Sequence, residues 1–216
     1  MDNIAPWRRL TLDRLVYRFQ VMVDKPTPGT RERLIAAMTD ALRRRGLHGM
    51  GLTELLAQAG APKGVLYHHF PGGKTELAVA AIDDVVARML RGLDALLAST
   101  PDPIEATRRW MAGATARLGD SGFESGCPLA TVALETTPDD LVLREALARA
   151  FSTLRARIAQ ALEQHGEPPI QAQGVAALIV ASYEGGLLQA RVAQSIEPIT
   201  QATDTLLMLL ADRAKR

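Results

Sequence analysis

Cationic and hydrogen-bonding side chains are concentrated between residues 63 and 74, where they can bind a polyanion. They are Lys63, Tyr67, His68, His69 and Lys74. Leu66 and Phe70, four residues apart, can anchor this segment to a core on one face of a helix while the other face stays free. A lysine that follows a Pro-Gly-Gly break adds a full charge to the exposed N–H groups at the start of a helix, and this combination favours a phosphate.

A sharp turn precedes this segment. Apolar residues at helical spacing, from Leu52 to Ala59, are followed by Gly60, which predicts a left-handed helix C-cap. Pro62 then predicts the start of a second helix over about residues 62–70. Two helices joined by about three residues form a helix-turn-helix, although a small helical hairpin with a polar surface fits the same pattern.

The residues of this turn resemble those of a known family. The segment AGAPKGVLYHHF, followed by a lysine-containing turn, resembles the DNA-binding segment of TetR-family transcriptional regulators. The PGGK turn and the later GCPLATVALE segment resemble the LmrA/YxaF-like branch of that family. The chain departs from the usual pattern at Pro62, where most relatives have a capping serine, and at Gly51, where many have a threonine that contacts phosphate.

The resemblance implies operator DNA as the partner, and it implies which residues contact that DNA. The expected DNA-binding residues are Thr53, Lys63, Gly64, Val65, Tyr67, His68, His69 and Lys74. Residues 63–65, 67 and 68 are expected to face the major groove, and Gly64 to allow close approach of the helix to DNA. Tyr67, His69 and Lys74 are the expected phosphate contacts.

The distribution of charge agrees with a polyanion-binding N-terminal part. The formal net charge is only +1, yet residues 1–75 carry twelve Lys/Arg against six Asp/Glu. The remaining residues therefore carry thirteen against eighteen. Such an asymmetry favours nucleic acid, although charge alone also fits a membrane surface or no partner.

Composition and periodicity predict an all-α protein. Aromatic residues make up only 4% of the chain, and no stretch alternates apolar and polar residues as a strand does. We expect a flexible arm over residues 1–29, a helix-turn-helix domain over 30–76 and a larger helical domain over 77–216. The first helix should start at the N-cap candidate Thr30 and end in the arginines 43–45, which suit either the helix dipole or a DNA contact. A chain without a signal peptide or a run of about 18 apolar residues is expected to be cytoplasmic and not to contact membranes.

The sequence gives little support for catalysis or for metal binding. Cys127 is the only cysteine, which excludes an intrachain disulfide and a multi-cysteine zinc site. The four histidines lack metal-ligand spacing, and no nucleophile-elbow pattern is present. We therefore expect no enzyme activity, no metal and no cofactor. Cys127 is expected to be an inert packed cysteine, with a thiol sensor as the alternative.

Large, soft or polar side chains within apolar helices predict a ligand pocket in the larger domain. The candidates are Met89, Trp110, Met111, Phe123, Cys127, Tyr183, Glu184 and Gln189. An apolar cavity with a few polar groups binds small organic molecules, although Trp110 and Met111 also fit an ordinary core. The pair Gly185-Gly186 predicts a close helix approach, either between subunits or around a ligand.

The last two helices carry apolar residues around more than one stripe, which predicts a homodimer. We therefore expect a two-domain, homodimeric transcriptional repressor that a small ligand releases from its operator. A long helix from about residue 74 to 99 should join the two domains. A helical protein-interaction module without DNA binding and a small helical enzyme are the alternatives from other functional classes.

Overall fold

The computed structural model describes residues 29–213, with side chains described up to residue 210. The expected arm over residues 1–29 lies, except for Gly29, outside the described residues. The described chain forms helices only, which confirms the all-α prediction. The helices are α1 Thr30–Arg44, α2 Leu52–Ala59, α3 Lys63–His69, α4 Gly73–Ser99, α5 Pro103–Asp120, α6 Pro128–Glu135, α7 Leu141–Gln164, α8 Pro169–Ala193 and α9 Glu197–Arg213.

The small N-terminal unit consists of α1, α2, α3 and the beginning of α4. Helix α1 packs against each of the other three. Its core is formed by side chains that are almost completely removed from solvent, namely Leu34, Met38, Leu42, Leu55, Leu66, Phe70 and Leu77. The burial of these apolar groups stabilises a unit whose helices α2 and α3 are too short to be stable alone.

The turn between α2 and α3 has the predicted geometry, with two corrections at helix starts. Gly60 has φ = 59° and ψ = 41°, and its N–H donates to Ala57, as expected of a left-handed C-cap. Pro62 is the N-cap residue of α3, one position before the helix, because its ψ of 153° is extended. Thr30 is not the N-cap of α1: Gly29 has that position, and Thr30 accepts a hydrogen bond from Arg33 instead.

The larger unit is a bundle of α4 to α9. The 27-residue helix α4 packs against α1 on one side and against α5 and α7 on the other. At about 1.5 Å per residue it is about 40 Å long, so it extends from the small unit deep into the larger one. Helix α8 packs between α7 and α9, and α9 also contacts α5. None of the helices within residues 29–213 combines the length and the apolar character that a membrane span requires.

Gly186 brings α8 and α9 together within one chain. A Cβ atom at this position would lie 2.9 Å from Cγ1 of the buried Ile199 and 3.1 Å from its Cα. The neighbouring Gly185 faces open space. The close approach permitted by Gly186 is therefore between consecutive helices of one chain, a use that the sequence did not predict.

We expect Gly186→Ala to lower the free energy of unfolding by about 1–3 kcal/mol, because the added methyl group would push α9 away from α8. The matched control is Gly92→Ala on α4, where a Cβ meets no atom within 4 Å. The control should gain about 0.5–1 kcal/mol from helix propensity. Urea unfolding measures both, and equal stability of the two variants would contradict the assigned role of Gly186.

Candidate nucleic-acid interface and internal cavity

Helix α3 presents its polar residues to solvent and buries its apolar ones. Lys63, Gly64, Tyr67 and His68 are exposed, with Tyr67 46% accessible, whereas Val65 and His69 are partly buried. Leu66 is completely buried and Phe70 is 1% exposed. Thr53, in the first turn of α2, is also exposed. The structure thus places every predicted groove-facing residue of α3 on or beside one accessible face.

The turn after α3 is fixed by contacts that leave this face free. The guanidinium of Arg31 lies 5.2 Å from the centre of the Phe70 ring, and the N–H of Gly73 donates to the Phe70 carbonyl at 2.8 Å. Gly73 has φ = 67°, which a residue with a Cβ adopts only with strain. The N–H of Gly72 donates to the carboxylate of Glu76 at 2.7 Å. These contacts hold α3 rigidly at its angle to α4.

Lys74 has a structural role that sequence analysis missed. Its Nζ donates to the carbonyls of Leu47 and Met50, at 2.5 and 2.6 Å, and so holds the loop that leads into α2. Partial burial of the ammonium group lowers the pKa of Lys74, and the carboxylate of Glu135 opposes that shift. An ammonium group has three donors, so one remains for the predicted phosphate contact.

Glu135, at the end of α6, is a second residue that sequence analysis did not single out. Its carboxylate accepts a hydrogen bond from the N–H of Leu47 at 2.5 Å. The same carboxylate occupies the space beside Gly46, which has φ = 76° and follows the C-cap of α1. Since α6 belongs to the larger unit, this contact ties the α1–α2 loop to it. No local sequence signal identifies such a long-range partner.

The three arginines at the end of α1 have different environments. Arg44 pairs with Asp40 and with Glu124, and Arg45 pairs with Glu54. Arg43 instead lines a small internal cavity. The positive charge of Arg44 and Arg45 is thus already balanced within the chain.

This cavity, called the internal cavity below, has a volume of about 60 Å³, is partly open to solvent and lies between α1, α4, α5, α8 and the start of α6. Of the predicted pocket residues, Met89, Cys127 and Tyr183 line it. Trp110 supports its wall, because its ring stacks on Tyr183 at 4.7 Å and its Nε1 donates to the Met89 carbonyl at 3.2 Å. The structure therefore brings these four candidates together.

The other pocket candidates are distributed differently. Met111 is completely buried in the core. Phe123, which has φ = 63°, lines a separate open groove with Arg44 and Leu188. Gln189 is exposed and donates to the carbonyl of Gly185 in its own helix. The structure gives no support for Gln189 as a lining residue of the internal cavity.

Glu184 and Cys127 form a buried polar pair beside a second, mostly apolar cavity of about 210 Å³. The Cys127 thiol donates to Oε1 of Glu184 at 3.2 Å. Oε2 is buried and has no hydrogen-bond partner among the described residues. Burial raises the pKa of Glu184 to about 7 and raises that of the Cys127 thiol well above its usual value. A thiol with a raised pKa is a poor nucleophile, as expected for a packed cysteine.

Two family models match the chain. Residues 34–81 match the model of bacterial regulatory proteins of the tetR family, and residues 103–205 match that of the LmrA/YxaF-like transcriptional regulator C-terminal domain. Both matches agree with the resemblance stated from the sequence.

Relatives and solved structures give the same result. An uncharacterized HTH-type transcriptional regulator of Mycobacterium tuberculosis (strain ATCC 25618 / H37Rv) is 32% identical, over 87% of this chain and 99% of its own length. The HTH-type transcriptional repressor NemR of Escherichia coli (strain K12) is 31% identical, over 80% of this chain and 89% of its own. The crystal structure of a regulatory protein TetR from Rhodobacter sphaeroides is 25% identical with a TM-score of 0.73, covering 83% of this chain and 97% of that one.

The buried carboxyl of Glu184 should make stability depend on pH. In the unfolded chain it ionises near its ordinary pKa of 4.5, but in the folded protein only near 7. Between these values the folded state binds more protons, so the free energy of unfolding falls as the pH rises through this window. Glu184→Gln removes the titrating group, so its free energy of unfolding should not show this fall with pH. Relative to the parent protein, we therefore expect the variant to gain about 1–3 kcal/mol between pH 4.5 and pH 8. Urea unfolding of both proteins at the two pH values measures this gain. The exposed Glu145→Gln is the control, and identical pH profiles for the parent and Glu184→Gln would contradict the prediction.

Proposed function

The chain belongs to the TetR family of DNA-binding transcriptional regulators, in its LmrA/YxaF-like branch, and on this premise we propose that it is a homodimeric repressor released from its operator by a small organic ligand. The observation that carries the proposal is the accessible polar face of α3, held rigidly by Leu66 and Phe70. The relatives are transcriptional regulators, in agreement with the prediction that the chain is not an enzyme.

Helix α3 is proposed to lie in the major groove with its N-terminal residues nearest the bases. Lys63 and His68 are the candidates for base contacts, while Tyr67, His69, Lys74 and Thr53 are proposed to contact phosphates. The position of Gly64 supports this orientation. A Cβ there would meet no atom within 4 Å, so the fold itself does not require glycine. Close approach to DNA gives a reason for a glycine inside this helix, where it costs about 1 kcal/mol relative to alanine.

The proposed dimer interface is the outer face of α8 and α9. Large apolar side chains are exposed there in the single chain, namely Leu178, Leu188, Val192, Ile196, Met208 and Leu209. A two-fold contact between these helices would remove them from water as a four-helix arrangement. It would also present two copies of α3 to a pseudo-palindromic operator.

Release by a ligand is proposed to act through the contacts between the two units. The internal cavity lies where α1, α4 and α5 meet, so a ligand there can change the position of the small unit relative to the bundle. A tenfold loss of operator affinity requires about 1.4 kcal/mol of differential binding between two conformations. NemR, which is named a transcriptional repressor, supports repression as the direction of control.

Contacts to bases and to phosphates should respond differently to substitution. We expect Lys63→Ala or His68→Ala to reduce discrimination between operator and mismatched DNA, by about 1–3 kcal/mol for a base contact. Lys74→Ala should weaken binding to all sequences and reduce the salt slope by about one. Fluorescence anisotropy with labelled duplexes at several salt concentrations measures both effects.

The control for these variants is Arg149→Ala on α7, which belongs to the larger unit. This control should bind DNA as the parent protein does. Because Lys74 also holds the α1–α2 loop, thermal unfolding is measured in parallel. It distinguishes the loss of a DNA contact from a loss of folded structure. Unchanged affinity, specificity and salt slope in all three variants would refute the proposed face and favour a protein-interaction module.

We expect Leu209→Glu to convert the dimer to a monomer, because a charge would enter the apolar interface. The matched control is Leu141→Glu at the start of α7, since Leu141 and Leu209 are 62% and 60% exposed in the single chain. Light scattering at micromolar concentration measures the mass of each. The proposed interface would be wrong if the parent protein were monomeric or if both variants remained dimeric.

A further inference from the structure

We propose that the ligand of this regulator is an organic carboxylate with an apolar body, and that its carboxylate binds between Arg43 and Arg117. This inference rests on the proposed function as a ligand-released repressor and names the chemical class that the internal cavity selects. Both arginines line that cavity, Arg43 from the last turn of α1 and Arg117 from α5.

Neither guanidinium has an anionic partner within the described part of the chain. The structure contains no ion pair or side-chain hydrogen bond of Arg43 or Arg117 among residues 29–210. Arg43 is partly buried, whereas its neighbours Arg44 and Arg45 are exposed and ion-paired. Arg117 is exposed, so the desolvation cost falls on Arg43. A partly desolvated guanidinium without a partner is costly, and a carboxylate that accepts hydrogen bonds from both arginines would compensate it.

The surroundings of the two arginines are positive or neutral. Burial lowers the pKa of Arg43, and the positive charges of Arg88 and Arg117 lower it further. Arg88 is itself paired with Asp84. The other titratable side chains that line the cavity, Cys127 and Tyr183, have raised pKa values and are therefore neutral near pH 7. An anion would thus enter a site that contains no competing negative charge.

Glu184 is a carboxyl group adjacent to the cavity-lining Tyr183 in the chain. It follows Tyr183 on α8, but it lines the second cavity and not the one between the arginines. Its pKa of about 7 also means that it is partly protonated at neutral pH. Its position and protonation both limit repulsion of a carboxylate ligand.

The remaining walls predict the rest of the ligand. Val85, Met89, Ala114 and Leu187 are apolar, and the Tyr183 ring is stacked on Trp110. The volume of about 60 Å³ accommodates little more than a small polar group, so the apolar body requires some displacement of these walls. Met89 has flexible side-chain torsions that permit such a change. A compact aromatic or aliphatic carboxylate fits these walls better than a bulky dianionic phosphate ester.

Binding of the carboxylate to the same two arginines would affect the DNA-binding unit. Arg43 belongs to α1 and Arg117 to α5, and the Arg43 carbonyl accepts a hydrogen bond from Gly126 at 3.2 Å. An anion that binds both guanidinium groups changes the distance between these helices. The loop after α1 leads directly to α2, so this change acts on the orientation of the helix-turn-helix.

The test uses the full-length protein and pairs of probes that differ in charge but little in shape. The pairs are benzoate and benzamide, 2-naphthoate and 2-naphthamide, and octanoate and octanamide. Calorimetry should show at least one carboxylate binding about tenfold or more tightly than its amide, as expected of a charge-assisted contact. The same carboxylate should release operator DNA in an anisotropy titration at constant ionic strength.

Variants connect the effect to the two arginines. Arg43→Gln and Arg117→Gln should each weaken carboxylate binding about tenfold and leave binding of the amide unchanged. The control Arg108→Gln, also on α5 but outside this cavity, should bind as the parent protein does. Operator binding without any probe, measured for each variant, confirms that it is folded.

Several outcomes would overturn the proposal. These are equal binding of the amides, unchanged carboxylate affinity in both variants, or no binding of any carboxylate by a protein that binds its operator. The first two outcomes leave ligand release itself intact. Failure of the parent protein to bind any operator would instead refute the proposed function.

Discussion

The position of the DNA-reading unit depends on hydrogen bonds that the larger unit makes to the end of α1. The carbonyls of a helix's last turn have no partners within the helix. Here the Arg43 carbonyl accepts from the N–H of Gly126, and the Arg44 carbonyl accepts from the guanidinium of Arg191 at 2.8 Å. Glu135 accepts from the N–H of Leu47 just beyond. The hydrogen bonds that satisfy the backbone at the end of α1 therefore also connect the two units.

Helix α4 provides a second connection between the two units. Its first turn carries Lys74, whose ammonium group holds the loop before α2, and its second half packs in the bundle against α5 and α7. The small unit therefore contacts the larger one at two places, the end of α1 and the length of α4. Leu66 and Phe70 fix α3 to the core that α1 and the first part of α4 form, so the placement of α3 depends on both of these helices.

Local patterns in the sequence predicted the helices and their ends well, because caps and periodicity act over a few residues. Gly60 is a left-handed helix stop as expected, and Leu66 and Phe70 are buried as expected. Two helix starts, at Thr30 and Pro62, were predicted one residue away from their positions. The larger failures concern contacts between distant residues. The pairing of Glu135 with Leu47 spans 88 positions, and the contact of Gly186 with Ile199 depends on how α9 folds back on α8. Neither contact leaves a periodic signal, so only the tertiary structure shows them.

The charge of the N-terminal part illustrates how tertiary structure changes the meaning of composition. The excess of Lys/Arg in residues 1–75 predicted a polyanion partner, yet Arg44 and Arg45 are paired with carboxylates of the same chain. Arg43 lines the internal cavity and has no such partner among the described residues, which leaves Arg31 on α1 and Lys63 on α3 as exposed cations without an ion pair in the described part of the small unit. The run of three arginines at the end of α1 thus contributes three ion pairs on the surface, made by Arg44 and Arg45, and one partly buried cation, Arg43. The partly buried cation is the most costly of the three to leave unpaired, so Arg43 gains the most from an anionic partner at the end of α1.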